Sequence, residues 1–213
     1  MLAPPVADDR EDAVRTRAYE HSLNSSTLPA GSPALEIRDI ELRFGGVVAL
    51  QDVSFTVTQG HIHSVIGPNG AGKSSLLNCV SGLYHPQQGS VTLHTGAEGV
   101  AHELTSLPPH KYGMRKRVDL GRALAMEPRV LLLDEPMAGM NSEEKEDMAR
   151  FILDVREAAR IPVVLVEHDM GVVMDLADRI AVLDFGAKIA EGTPQQMQRD
   201  PAVLKAYLGE GDR

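Results

Sequence analysis

The run Gly67-Pro68-Asn69-Gly70-Ala71-Gly72-Lys73-Ser74, followed by Ser75, has the residue types and spacing to hold phosphate. It fits G-x-x-x-x-G-K-[ST] and lies between a strand-like and a helix-like segment, the context that pattern requires. Gly67, Gly70 and Gly72 let the backbone bend so that successive N–H groups turn inward. A helix starting behind them adds its positive end. Lys73 supplies a point charge for β- and γ-phosphates, and Ser74 a hydroxyl for Mg²⁺. The plain alternative, a glycine turn before an ordinary helix, leaves the lysine and the flanking strand unexplained.

Two further segments end in polar residues at the same kind of place. Val130-Leu-Leu-Leu-Asp134-Glu135 is a buried strand delivering carboxylates at its C-terminal end, where ligands sit in open α/β sheets. Asp134 is placed to bind Mg²⁺, and Glu135 to act as general base for an attacking water. His168 ends a third such strand, VVLVEHD. It is either a satisfied structural histidine or a group that bonds the γ-phosphate or orients water. His61 and His63 share one strand face but lack a nearby third ligand, so a metal pair is not expected. Arg115, Lys116 and Arg117 read as a solvated or phosphate-proximal face.

These groups need a scaffold of alternating strands and helices. Leu35, Ile37, Ile40, Leu42 and Phe44 are spaced as a strand with one break in alternation. VVAL and VSFTV read as two more strands, HIHSVIG as a short one and SSLLNCVSGL as a helix ended by His85 and Pro86. SVTLH is a strand, residues 95–111 look irregular, and a helix is expected over 113–126. Asn141 can cap a helix whose Met148, Phe151, Ile152 and Val155 form an apolar stripe. PVVLVEHD is a buried strand, a short helix starts at Met170, and RIAVLDFG with AKIAEG resembles a hairpin. Two short helices, over 194–199 and 201–208, close the chain. No internal repeat is visible. Buried aliphatic strands alternating with helices imply an α/β fold with a mainly parallel sheet covered on both faces.

Composition agrees. The chain has 213 residues, 43% hydrophobic and 24% charged, enough for a full core. Twenty-one basic against 30 acidic residues give a net charge of −9, which argues against a nucleic-acid surface. The single cysteine, Cys79, excludes an internal disulfide framework and reads as a buried small residue. No apolar run reaches the ~18 residues of a membrane span, and the N-terminus lacks the apolar core of a secretory signal. Residues 1–34, rich in proline and charge, are expected to be a disordered tail with one helical segment over 9–20, and residues 35–213 a single domain.

RFGG, GPNGAGKSS, GMRKRVDLGRALA, LLLDEP, AGMN and EHD, in that order, resemble the ATP-binding subunits of ABC transporters. The tail GTPQQMQRDPAVLKAYLGE is similar to the end of the subunits serving branched-chain amino acid importers. The likeness runs from Leu35 to Glu210. It implies the P-loop NTPase fold with an N-terminal antiparallel portion, and ATP hydrolysis with Mg²⁺. Phe44 matches the aromatic that stacks on adenine, with a core strand residue as the alternative. Gly67 to Ser75 match the phosphate loop, Asp134 the magnesium carboxylate, Glu135 the catalytic base and His168 the switch histidine. Ala138 to Asn141 match the loop facing a second ATP-binding subunit. Transmembrane permease subunits and, indirectly, a solute-binding protein are the other implied partners, with no nucleic acid. The implied location is cytoplasmic, peripheral on the inner face of the cell membrane.

The resemblance breaks in the middle. Only 36 residues separate Ser75 from Tyr112. The family's helical subdomain and glutamine loop, made of helices averaging ~11–12 residues, do not fit there. His110-Lys111 stand where relatives have Leu-Ser before Tyr-Gly. An internal deletion, shortening the domain between 96 and 112, accounts for both. ATP binding should survive it, while coupling to transport should weaken. The alternative is a nucleotide-binding module without turnover, regulatory or decayed.

Overall fold

The computed structural model describes residues 28–96, 99–105 and 128–208. The helices expected over 9–20 and 113–126, and Arg115 to Arg117, lie outside that range. Two sheets share the described residues. The first is antiparallel in the order β2-β1-β4-β5, with β1 Pro33–Phe44, β2 Val47–Thr58, β4 Gln88–Thr95 and β5 Val100–Glu103. The second runs β6-β7-β3-β8-β9, with β3 Ile62–Ile66, β6 Leu131–Asp134, β7 Val163–Val166, β8 Arg179–Asp184 and β9 Ala187–Gly192. Its first four strands are parallel, and β9 returns antiparallel as the expected hairpin. The helices are α1 Lys73–Val80, α2 Ser142–Ala159, α3 Met170–Leu176, α4 Pro194–Met197 and α5 Pro201–Leu208.

The parallel strands bury both faces, as their continuous apolar sequences require. Along β3, Val65 faces a core with Leu35, Ile37, Leu50, Leu76 and Val80, between the antiparallel sheet and α1. Ile62 and Ile66 face the opposite side and belong to two other clusters. In one of these, Met148, Ile152 and Val155 of α2 pack on Leu131, Leu133 and Leu165. Full burial of an aliphatic side chain is worth roughly 1.5–3 kcal/mol, so this stripe seats α2 against the sheet. Cys79 is buried in the first cluster, and desolvation pushes its thiol up to about 12, so it stays protonated.

Three expectations change, and the expected break in β1 is explained. The VVAL and VSFTV segments form one strand, β2, with Asp52 at φ 52° inside it. The break in β1 is a bulge at Asp39, φ 50°. There the Asp39 N–H donates to Ser54 Oγ at 2.7 Å and the Ser54 hydroxyl donates back to Asp39 Oδ1 at 2.9 Å. Residues 100–103, expected to be irregular, pair with β4 as β5. Phe151 is exposed, so the buried stripe of α2 is narrower than its sequence suggests. In addition, β1 starts at Pro33 and Leu28 is buried, so the ordered chain takes in residues ahead of Leu35.

Candidate functional site

The phosphate-loop residues connect β3 to α1, in the expected strand–loop–helix context. The three glycines are required by their surroundings. Gly67 (φ 152°), Gly70 (φ 81°) and Gly72 (φ 100°) all adopt positive φ. A Cβ on Gly67 would lie 2.1 Å from the Leu183 carbonyl oxygen, and one on Gly72 would lie 2.6 Å from that of Ala49. The loop therefore threads between β8 and β2, and only residues without side chains pass. Gly72 is the N-cap of α1 with no side-chain cap, and the first turn carries no acidic residue. The helix's positive end is thus not neutralised by its own residues.

Lys73 is only 7% exposed, and its ammonium donates to the carbonyls of Gly67 at 2.9 Å and Pro68 at 3.0 Å. The loop thus wraps around a cation that its own backbone holds in place. The Ala71 N–H donates to Pro68 O at 3.2 Å, and the Gly186 N–H to Ala71 O at 3.1 Å. Asn69, Gly70 and Ser74 are exposed, and Ser75 is half-buried. A backbone cradle around a buried lysine, at an uncapped helix start, fits a polyphosphate.

Asp134 is the last residue of β6 and is exposed, in register with Val166 of β7. The Glu135 N–H donates to Val166 O at 2.9 Å, and Glu135 takes φ 46°, a conformation that costs a non-glycine residue roughly 1–3 kcal/mol. His168, beyond the end of β7, places Nδ1 3.9 Å from Glu135 Oε1. The pairing of β6 with β7 thus brings the two sequence-identified groups together, both with side chains open to solvent. No group of three or more His, Cys, Asp or Glu forms among the described residues, so a cation here would need oxygens from a bound phosphate as well.

Sequence reading missed Glu167. It is 1% exposed and accepts the Met137 N–H at 2.9 Å and the His168 N–H at 3.3 Å. One buried carboxylate therefore ties the turn after Glu135 to the backbone of His168. The signal was a charged residue inside the apolar run VVLVEHD. Glu167→Ala would leave the Met137 amide without its acceptor, a penalty of about 1–3 kcal/mol. Thermal unfolding should show that loss, and Glu167→Gln, which keeps an acceptor, should recover most of it.

Beyond the turn, Gly139 takes φ 80°, and Asn141 caps α2 by accepting the Glu144 N–H at 2.9 Å. Glu144 returns the bond to the Asn141 N–H at 3.0 Å. Phe44 ends β1 at 47% exposure, edge-on to Tyr84 with ring centroids 5.1 Å apart. At that exposure it is not a core residue. His63 is buried and stacked on Phe55 at 4.7 Å. Burial lowers it to about 4, so its ring is neutral and structural at ordinary pH.

The family model described as "ABC transporter" matches residues 50–111, and one described as "Branched-chain amino acid ATP-binding cassette transporter" matches residues 187–213. A high-affinity branched-chain amino acid transport ATP-binding protein of Pseudomonas aeruginosa, BraF, is 29% identical over 257 residues, covering 84% of this chain and 98% of BraF. LivG of Escherichia coli, with the same description, is 28% identical over 251 residues, again with 84% and 98% covered. Over 84% of its length the chain is similar to the ATP-binding cassettes of ABC transporters. A solved nucleotide-free ATP-binding cassette superposes at TM-score 0.74 and 22% identity, covering 84% of this chain and all of that one, which shows the P-loop NTPase fold. Another cassette, in its ADP conformation, gives TM-score 0.70 at 22% identity over the same 84% of this chain.

The cassette is short. The BraF match spans 257 positions but uses 84% of a 213-residue chain, about 179 residues, so about 78 positions of the match have no residue here. The first family match also stops at residue 111, one residue before Tyr112. An internal deletion would leave a gap of that kind in the match. No helix among the described residues is long and apolar enough to cross a membrane.

Proposed function

We propose that this cassette is the ATP-binding and ATP-hydrolysing subunit of an importer for branched-chain amino acids or similar small solutes. The carrying observation is the cradle around Lys73 in a fold whose Glu135 and His168 meet beside it in the sheet. Residues 67–75 hold the phosphates, Phe44 stacks on adenine, and Glu135 takes the proton of the attacking water with His168 orienting it. Ser74 and Asp134 hold Mg²⁺, which would neutralise charge on the β- and γ-phosphates. BraF and LivG support the choice of solute, as does the match of residues 187–213.

A second ATP-binding subunit faces Ala138 to Asn141. Permease subunits hold the cassette at the inner face of the membrane, with a solute-binding protein acting through them. The ATP-binding domain takes in β1 from Pro33 onward and is shortened between 96 and 112. The test is Mg²⁺-dependent ATP turnover by the purified chain, with uptake measured in a strain lacking its full-length counterpart. Turnover is expected, with uptake below that given by a full-length relative because the docking segment is shortened. A chain that binds no ATP would refute the proposal.

A further inference from the structure

His168 sits between two carboxylates, and each is tied to the same stretch of chain. On one side, Glu167 accepts the Met137 N–H at 2.9 Å and the His168 N–H at 3.3 Å. On the other, Asp169 Oδ2 accepts the Lys145 ammonium at 2.6 Å. Asp169 is also the N-cap of α3, where its Oδ1 accepts the N–H groups of Gly171 at 3.1 Å and Val172 at 3.4 Å. The Lys145 bond is the leading cause that holds the Asp169 carboxyl below the usual carboxylate range. Lys145 in turn donates its backbone N–H to the Asn141 carbonyl at 3.0 Å, in the first turn of α2.

Met137 and Lys145 thus bracket residues 138–141. Met137 is buried, and Met148 of α2 packs in the same core cluster, so both ends of the bracket are anchored. The side chain of His168 is not. It is 58% exposed, and its Nδ1 stands 3.9 Å from Glu135 Oε1 and from Glu167 Oε2, beyond hydrogen-bond reach. Where that ring points follows from how its two sequence neighbours are held, Glu167 by the Met137 amide and Asp169 by Lys145.

We propose that Lys145 is a positioning residue for His168, holding Asp169 so that the histidine next to it is presented beside Glu135. This rests on the ATP-hydrolysis reading above. Lys145→Met is the decisive variant, because it removes the ammonium and keeps an unbranched stem. Arg156→Met is the comparison. Arg156 lies in the last turn of the same helix and pairs with Asp178 at 3.3 Å. The side-chain exposures of that pair, 32% and 34%, match the 32% and 31% of Lys145 and Asp169.

Partly exposed ion pairs add little stability, so Tm should fall by no more than about 4 °C in either variant. Lys145→Met should lower kcat by about 3–30-fold, inside the 10²-fold that a misplacement of ~1 Å can cost. Its ATP KM should stay near that of the unaltered chain, and Lys145→Arg should recover most of the loss. Arg156→Met should leave kcat near that of the unaltered chain. In a His168→Ala background, Lys145→Met should cost less than about twofold more, because the two residues act as one unit. Without nucleotide, the His168 ring proton resonance should shift in Lys145→Met and stay in place in Arg156→Met. An unshifted resonance with unaltered kcat in Lys145→Met would overturn the inference while leaving ATP hydrolysis intact. An equal loss of kcat in Arg156→Met, or a full Lys145→Met loss in the His168→Ala background, would overturn it too. An unaltered chain that hydrolyses no ATP would instead overturn the proposed function, and this inference with it.

Discussion

Glu135→Gln should lower ATP turnover by about 10²–10⁴-fold, the range a positioned general base contributes, while ATP affinity stays near that of the unaltered chain. The argument rests on separation of roles. The loop residues that would grip the phosphates belong to the β3–α1 connection, whereas Glu135 follows β6 on the far side of β7. Its backbone N–H is held by the Val166 carbonyl. An amide is nearly isosteric with the carboxylate and leaves that bond intact, so the loop should not move. What disappears is the capacity to accept a proton. Single-turnover hydrolysis and equilibrium ATP binding on the same preparation check both halves. A variant hydrolysing at the unaltered rate would remove Glu135 from the chemistry and shift attention to His168, whose Nδ1 is 3.9 Å away.

What the sequence made legible was local. The phosphate loop could be read because each residue type has a backbone reason, and Gly67 and Gly72 sit where a single Cβ would collide with β8 and β2. The Asn141 cap could be read because it and Glu144 are three residues apart and satisfy each other. Strand continuity was harder. Asp52 adopts a positive φ inside a strand that still pairs along its length with β1, and nothing local distinguishes that from a turn. Strand β5 has only four residues, and its VAHE sequence lacks clean alternation, so pairing with β4 decides its state. Glu167 escaped for the same reason, since it matters through a partner distant in sequence, Met137. Family resemblance supplied roles for Asp134, Glu135 and His168, but the pairing of β6 with β7 is what brings Glu135 and His168 together.

The largest loss of binding is expected from Lys73→Ala. In the unaltered chain the ammonium is nearly buried and rests on two carbonyls of the loop it would serve. Hydrogen bonds to charged groups are worth about 1.5–3 kcal/mol each, so removing two such bonds to phosphate weakens ATP binding by roughly 10²–10⁴-fold. The stability of the nucleotide-free protein should move much less, because burying an ammonium is itself costly and its removal offsets the missing carbonyl bonds. The two effects therefore separate in one measurement. At ATP near 100 times its dissociation constant, ligand binding stabilises the unaltered chain by about 2.7 kcal/mol, which for a domain this size raises Tm by roughly 5–11 °C. Lys73→Ala should melt close to the unaltered protein without ATP and show almost none of that rise with it. Lys73→Arg should fail similarly, since a planar guanidinium does not replace a compact ammonium between the Gly67 and Pro68 carbonyls. A full ATP-induced shift in Lys73→Ala would mean that the backbone cradle and the uncapped start of α1 bind the nucleotide unaided, with the lysine left to act only on the reaction.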